Sequence, residues 1–159
     1  MKQFIILIGF VVGLVFFFAS CGKSGCTDVN STNYCEKCNQ SDGSCTYKAP
    51  IVFWWKKAFA DSCTAHGIVK FGITLDCISL GNISFSGQSW TSVPACGASS
   101  TLTVSKDLGV NKTVTVPVHY DVIFSNGSTS SLGDVSHGTS GDQSRQLIGG
   151  TCNNLELTW

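Results

Sequence analysis

The chain has 159 residues, enough for one domain and a small satellite. Only 13% of the residues are charged, and Gly, Ser and Thr are abundant beside a single Met, a mix that favours short strands and turns over helices. The formal net charge is +0 with no basic stripe or polybasic run, which argues against nucleic acid and against charge-steered binding to anionic lipid.

Met1-Lys2-Gln3 forms a short positive start, followed by an unbroken apolar run from Phe4 to Phe18 and then Ala19-Ser20-Cys21. A run of about 15 residues is roughly 22 Å long as a helix, short for a bilayer core of about 30 Å, so it fits a secretory signal better than a membrane span. The small residues before Cys21 resemble the lipobox of bacterial lipoproteins, with Phe18 where that family prefers Leu; such Phe-rich versions are similar to those of Bacteroidetes-type bacteria. The resemblance implies that residues 1–20 are removed and that Cys21 carries a thioether-linked lipid and an acylated amino terminus, with palmitate-type chains. It also implies an outer-membrane address, facing the periplasm or the cell surface. Two or three acyl chains anchor firmly where one would be marginal. The alternative is an ordinary signal cleaved near Gly22, leaving a soluble secreted protein.

Nine cysteines are too many for a reduced cytosolic protein of this size unless they bind metal. With Cys21 assigned to the anchor, the others form an even set. Residues 21–25 read as a lipid-anchored tether, residues 26–50 as a disulfide-rich module and residues 51–159 as the main domain. The module runs Gly25-Cys26-Thr27-Asp28, Asn33-Tyr34, Cys35-Glu36-Lys37-Cys38 and Asp42-Gly43-Ser44-Cys45. It resembles a Gly-Cys-Thr-Asp, Asn-Tyr, Asp-Gly-Ser-Cys module of Bacteroidetes-type exported proteins, in which the Cys35/Cys38 pair is a departure. The resemblance implies a Cys26–Cys45 bridge, with Cys35–Cys38 closing the inner loop. With no apolar core of its own, such a segment needs covalent links. Competing readings of the same residues are zinc on the four cysteines, a redox pair at Cys35 and Cys38, and calcium on Asp28, Asn30, Asn33 and Asp42. No metal or other cofactor is expected over these alternatives.

From residue 51 the apolar pattern has period two, as in half-buried antiparallel strands. Val114, Val116, Val118, Tyr120, Val122 and Phe124 give the longest run; Ile51, Phe53 and Trp55 give another. Strands are expected at 51–56, 67–75, 78–86, 100–105, 112–124 (one strand or two), 144–148 and 154–159, with a short helix near 57–62 and a surface loop over 128–143. Pro117 cannot donate to a ladder and implies an edge or a break. The fold expected is all-β, a small antiparallel sandwich. Phe53-Trp54, Pro94-Ala95-Cys96-Gly97-Ala98-Ser99 and Gly149-Gly150-Thr151-Cys152 resemble a small β-domain that follows the module in such lipoproteins, which implies no activity. The pairing of eight cysteines is open to 105 arrangements; the favoured ones here are Cys63–Cys77 across neighbouring strands and Cys96–Cys152.

Catalytic residues are not expected. His66, His119 and His137 are widely separated, and a Ser/His/Asp triad drawn with His119 or His137 and Asp121 or Asp134 lacks a nucleophile elbow. Trp54, Trp55 and Trp90 are the binding candidates. Neighbouring Trp54 and Trp55 must face opposite sides of a strand, so they either seal a sheet or leave one indole exposed to stack on a sugar or a partner protein. The expectation is a non-enzymatic envelope lipoprotein acting as a binding or structural module, attached to the membrane by its lipid. The alternatives are a glycan-binding adhesion module and a small hydrolase.

Overall fold

The computed structural model describes residues 22–85, 88–131 and 142–158. The signal segment, Cys21, His137, Asp134, Trp159 and most of the expected 128–143 loop lie outside them. Contacts divide the chain into two compact units, residues up to 29 with 33–45, and residues 30–32 with 46 onward.

The first unit is built on covalent links. Cys26–Cys45 and Cys35–Cys38 are both bonded, and a minimal parallel pair, β1 (Ser24–Gly25) with β2 (Gln40–Ser41), lies beside them. Gly25 has no freedom to be larger, since a Cβ there would sit 2.6 Å from Cys38 Sγ. Asp42-Gly43 makes the turn: Asp42 Oδ1 accepts from Ser44 N at 2.9 Å and Gly43 takes φ +76°.

The second unit is a small, mainly antiparallel β-sandwich. Its elements are β3 (Tyr47–Trp54), α1 (Lys57–Ala65), β4 (Ile68–Leu75), β5 (Ile78–Ser84), β6 (Leu102–Gly109), β7 (Thr113–Phe124), β8 (Thr129–Ser131), β9 (Asp142–Ile148) and β10 (Asn153–Glu156). One sheet has the order β10-β3-β6; the other has β5-β4-β7, with β8 and β9 sharing the far edge of β7. All pairs in the second unit are antiparallel except β10 with β3, which is parallel. The alternation of β7 is realised as expected: Val116, Val118, Tyr120 and Val122 are buried, while Thr113, Thr115 and Pro117 are exposed.

Several boundaries moved for identifiable reasons. β3 begins at Tyr47 rather than 51, because Tyr47 and Ala49 extend the buried series of Ile51 and Phe53. β7 is one strand through Pro117. The Pro117 carbonyl accepts from Asp76 N at 2.9 Å, so its missing N–H also points toward the β4 side, just past Leu75↔Val118 where that ladder ends. β8 falls inside the expected loop, because the Asn126-Gly127 turn, with Gly127 at φ +82°, folds the chain back onto β7.

The helix is placed by its apolar side. Phe59 and Cys63, one turn apart, are buried, while Lys57 and Asp61 pair on the exposed side at 2.7 Å. Gly67, at φ +74°, ends it and donates to Thr64 O at 3.0 Å. Phe59 stacks on Phe71 of β4 with centroids 5.4 Å apart, and Phe85 packs edge-on to Phe71 at 4.6 Å.

The outer side of the three-stranded sheet is covered as well. Val52, Trp54, Thr103 and Asn154 share this face by register. Residues 91–101 lie across it: Cys96 is bonded to Cys152, Gly97 N donates to Thr103 Oγ1 at 3.0 Å, and Pro94 is buried. Lys56 sits 5.7 Å over the Trp54 ring and pairs with Glu156 at 2.9 Å. Both faces of β3 are therefore buried from Ile51 to Trp54.

Candidate binding groove

The three bridges Cys26–Cys45, Cys35–Cys38 and Cys96–Cys152 are formed. The expected Cys63–Cys77 bond is not: both are unpaired thiols, Cys63 buried and Cys77 exposed. The reason is topological. Cys63 lies on α1 just before β4 and Cys77 in the turn after it, so the length of β4, about 23 Å at roughly 3.3 Å per residue, separates them, whereas a disulfide needs Cα atoms within about 7 Å. Asp76 (φ 50°) and Cys77 (φ 62°) form a two-residue hairpin tip where Asn-Gly would be usual. Burial pushes the Cys63 thiol up to about 12.

Of the tryptophans, Trp54 is 4% exposed and Trp55 1%, on opposite sides of the sheet, so both seal the fold and neither offers a stacking face. Trp54 Nε1 is buried without a hydrogen-bond partner, whereas Trp55 Nε1 donates to Gln88 O at 2.8 Å. Trp90 alone of the three is half-buried. Its N–H donates to Trp55 O at 3.0 Å and its ring meets Trp55 edge-on at 5.1 Å, so it is held rigidly at the rim of the aromatic cluster.

Asp42, one of the calcium candidates, is committed to its turn; the Ser44 side-chain and backbone hydrogen bonds hold it below its usual range. Asn33 Nδ2 donates to Ser44 O at 2.7 Å. Among the described residues no group of His, Cys, Asp and Glu could hold a metal ion. His66 Nδ1 lies 2.8 Å from Ser62 O at the end of α1, and His119 Nε2 lies 2.9 Å from Asp121 Oδ1 on the outward side of β7, so two of the histidines are far apart.

What the structure adds is a groove along α1. One cavity of about 330 Å³ is lined by Lys57, Ala60, Asp61, Thr64, Phe85, Gln88 and Ser89. A second, of about 400 Å³, continues from Thr64 and Phe85 to Gly67, Ile68, Val69, Ser84 and Ser125. Thr64 and Phe85 line both, so the two hollows lie side by side along one trough-like face of α1. Phe85, common to both, is itself buried, packed edge-on against Trp55 at 5.3 Å and Phe59 at 5.9 Å. The rim carries an amine, a carboxylate, an amide and several hydroxyls. A lining rich in hydrogen-bonding groups suits a polar ligand. None of Phe85, Gln88 and Ser89 was singled out from the sequence; only the aromatic at the end of the 78–86 strand hinted at it. No family model, curated protein or solved structure matches the chain.

Proposed function

We propose that the protein is a lipid-anchored lipoprotein of a bacterial envelope whose β-sandwich is a non-enzymatic binding module, with the α1 trough as its ligand site. Three disulfides among the described residues support an oxidising compartment, and this observation carries the reading. The lipobox-like Ala19-Ser20-Cys21 supplies the anchor. Replacing Cys21 by Ser should abolish fatty-acid labelling and leave the signal attached; unchanged labelling rejects the anchor.

The trough favours carbohydrate as ligand over an apolar peptide. A sugar can reach Asp61, Gln88, Ser89 and Thr64 with its hydroxyls. Trp90, the half-buried one of the three tryptophans, keeps the stacking role proposed for them. A glycan array with the wild type, Gln88→Ala and Trp90→Ala tests this. Binding lost in the variants supports it, and no signal above background in the wild type removes it.

A further inference from the structure

The first unit carries a motif that the α1 trough leaves unused, Cys35-Glu36-Lys37-Cys38. Its two cysteines are bonded across a sequence separation of 3 and are half-buried, with Glu36 and Lys37 exposed between them. Exposure alone does not single this bridge out, because Cys152 is exposed as well. Its place inside another closed loop does. Cys26–Cys45, with a separation of 19, encloses it, so Cys35–Cys38 closes the shortest loop of the three bridges and restricts the unfolded chain least.

The backbone around it is held without it. Cys35 N donates to Cys26 O at 2.8 Å and Cys38 N to Cys35 O at 3.0 Å, while Asn39 N donates to Lys23 O at 3.1 Å and Asp42 N to Gly25 O at 3.3 Å. With Cys26–Cys45 intact, these bonds keep both cysteines in place whether or not their sulfurs are joined. The two sulfurs differ in setting. Cys38 Sγ is pressed against the chain: it lies 3.2 Å from Ser24 O, and a Cβ on Gly25 would sit 2.6 Å from it but 3.3 Å from Cys35 Sγ. As half of a disulfide, Cys38 has no hydrogen to give. Once reduced, its S–H donates to Ser24 O, a weak bond that only the dithiol form makes, and stabilising the dithiol form makes a bridge a stronger oxidant.

We propose that Cys35–Cys38 is a thiol–disulfide exchange site that takes two electrons from a dithiol of another polypeptide. A thiolate of that polypeptide attacks Cys35 Sγ, the sulfur set further from the Gly25 backbone. The Cys35–Cys38 bond breaks, its electron pair leaves on Cys38, and a mixed disulfide with Cys35 remains. Cys38 takes the proton of the partner's second thiol, whose sulfur then attacks the first one. Cys35 leaves as a thiolate and takes a proton from water, replacing the one the first thiol gave up. The partner ends with a disulfide, and Cys35 and Cys38 end as thiols. The site belongs to the first unit and does not depend on the α1 trough.

The test uses the full chain, purified in detergent with its bridges formed, and a synthetic peptide bearing two reduced cysteines as probe. The chain should oxidise the peptide about tenfold faster than glutathione disulfide at the same concentration. Thiol labelling after an acid quench, followed by peptide mapping, should then place new label on Cys35 and Cys38, with Cys26–Cys45 and Cys96–Cys152 still bonded and circular dichroism unchanged. Paired substitution Cys35→Ser and Cys38→Ser should abolish the exchange. Cys77→Ser should leave its rate unchanged, since that exposed thiol takes no part. The label map of the wild type decides the matter if the paired variant fails to fold. A peptide left reduced overturns the proposal, as does equal oxidation by the paired variant. New label on Cys96 and Cys152, or reduction of Cys35–Cys38 only on unfolding, makes the bridge a structural link and also overturns it.

Discussion

Removing the Cys96–Cys152 bridge by paired substitution to Ser tests how the outer side of the three-stranded sheet is held. The bonded residues are separated by 56 positions. In the chain-entropy treatment a closed loop of that length restricts the unfolded state by about 4 kcal/mol at 25 °C. The native geometry adds to this, because Cys96 N donates to Cys152 Sγ at 3.0 Å and Gly97 N to Thr103 Oγ1 at 3.0 Å, on the face that carries buried Val52 and Trp54. For a domain of this size each kcal/mol moves the midpoint by about 4 °C, so the double variant should melt roughly 15 °C lower. Circular dichroism gives the midpoint, and tryptophan emission gives the cover. Trp54 is 4% exposed, and its emission should shift to the red once the strap is released. A midpoint within about 4 °C of wild type, with unshifted emission, would refute the idea that this bond fastens the strap.

Gly149→Ala puts a Cβ 2.5 Å from Tyr47 Cβ, and overpacking of this kind should cost about 1–3 kcal/mol in urea unfolding. Cys63 keeps its proton when folded up to a pKa of about 12, against 9.0 in the unfolded chain. Its contribution is therefore complete below about pH 9 and is lost as pH rises toward 12, with a slope of up to about 1.4 kcal/mol per pH unit. Cys63→Ala should flatten that alkaline slope, and an unchanged slope contradicts the assignment. A thiol reagent at pH 8 should label Cys77 in the native state and reach Cys63 only after unfolding. Pro117→Thr should alter stability by less than about 0.5 kcal/mol, since the β4 ladder has already ended where the missing N–H points.

The architecture was largely legible because it rests on period-two alternation, and Val116 to Val122 could be assigned to the interior from the sequence by that rule alone. Pairing partners were less legible. Alternation says which residues face inward but not which strand lies alongside, so the parallel union of Asn153–Glu156 with β3 could not be read. Cys63 and Cys77 look adjacent because only one strand separates them in sequence, yet that strand, fully extended, is what holds them apart. The tryptophans misled in the other direction. Trp54 would be exposed in a two-layer fold, yet it is 4% exposed, on the face where the 91–101 segment is bonded through Cys96 and Lys56 lies over the ring.

The parallel seam between β10 and β3 also sets an order of events. A polypeptide is made from its amino end, so Ile51, Val52 and Phe53 are available long before Asn153, Asn154 and Leu155 exist to lie beside them. Closure of that edge, and oxidation of Cys152, therefore cannot begin until residues 152–156 have been made. Until then Cys96 waits in the company of Cys63 and Cys77, the two thiols it must not join. Shelter for Cys63 inside a helix and strand that are neighbours in sequence, and so can form early, removes one wrong partner before the right one arrives.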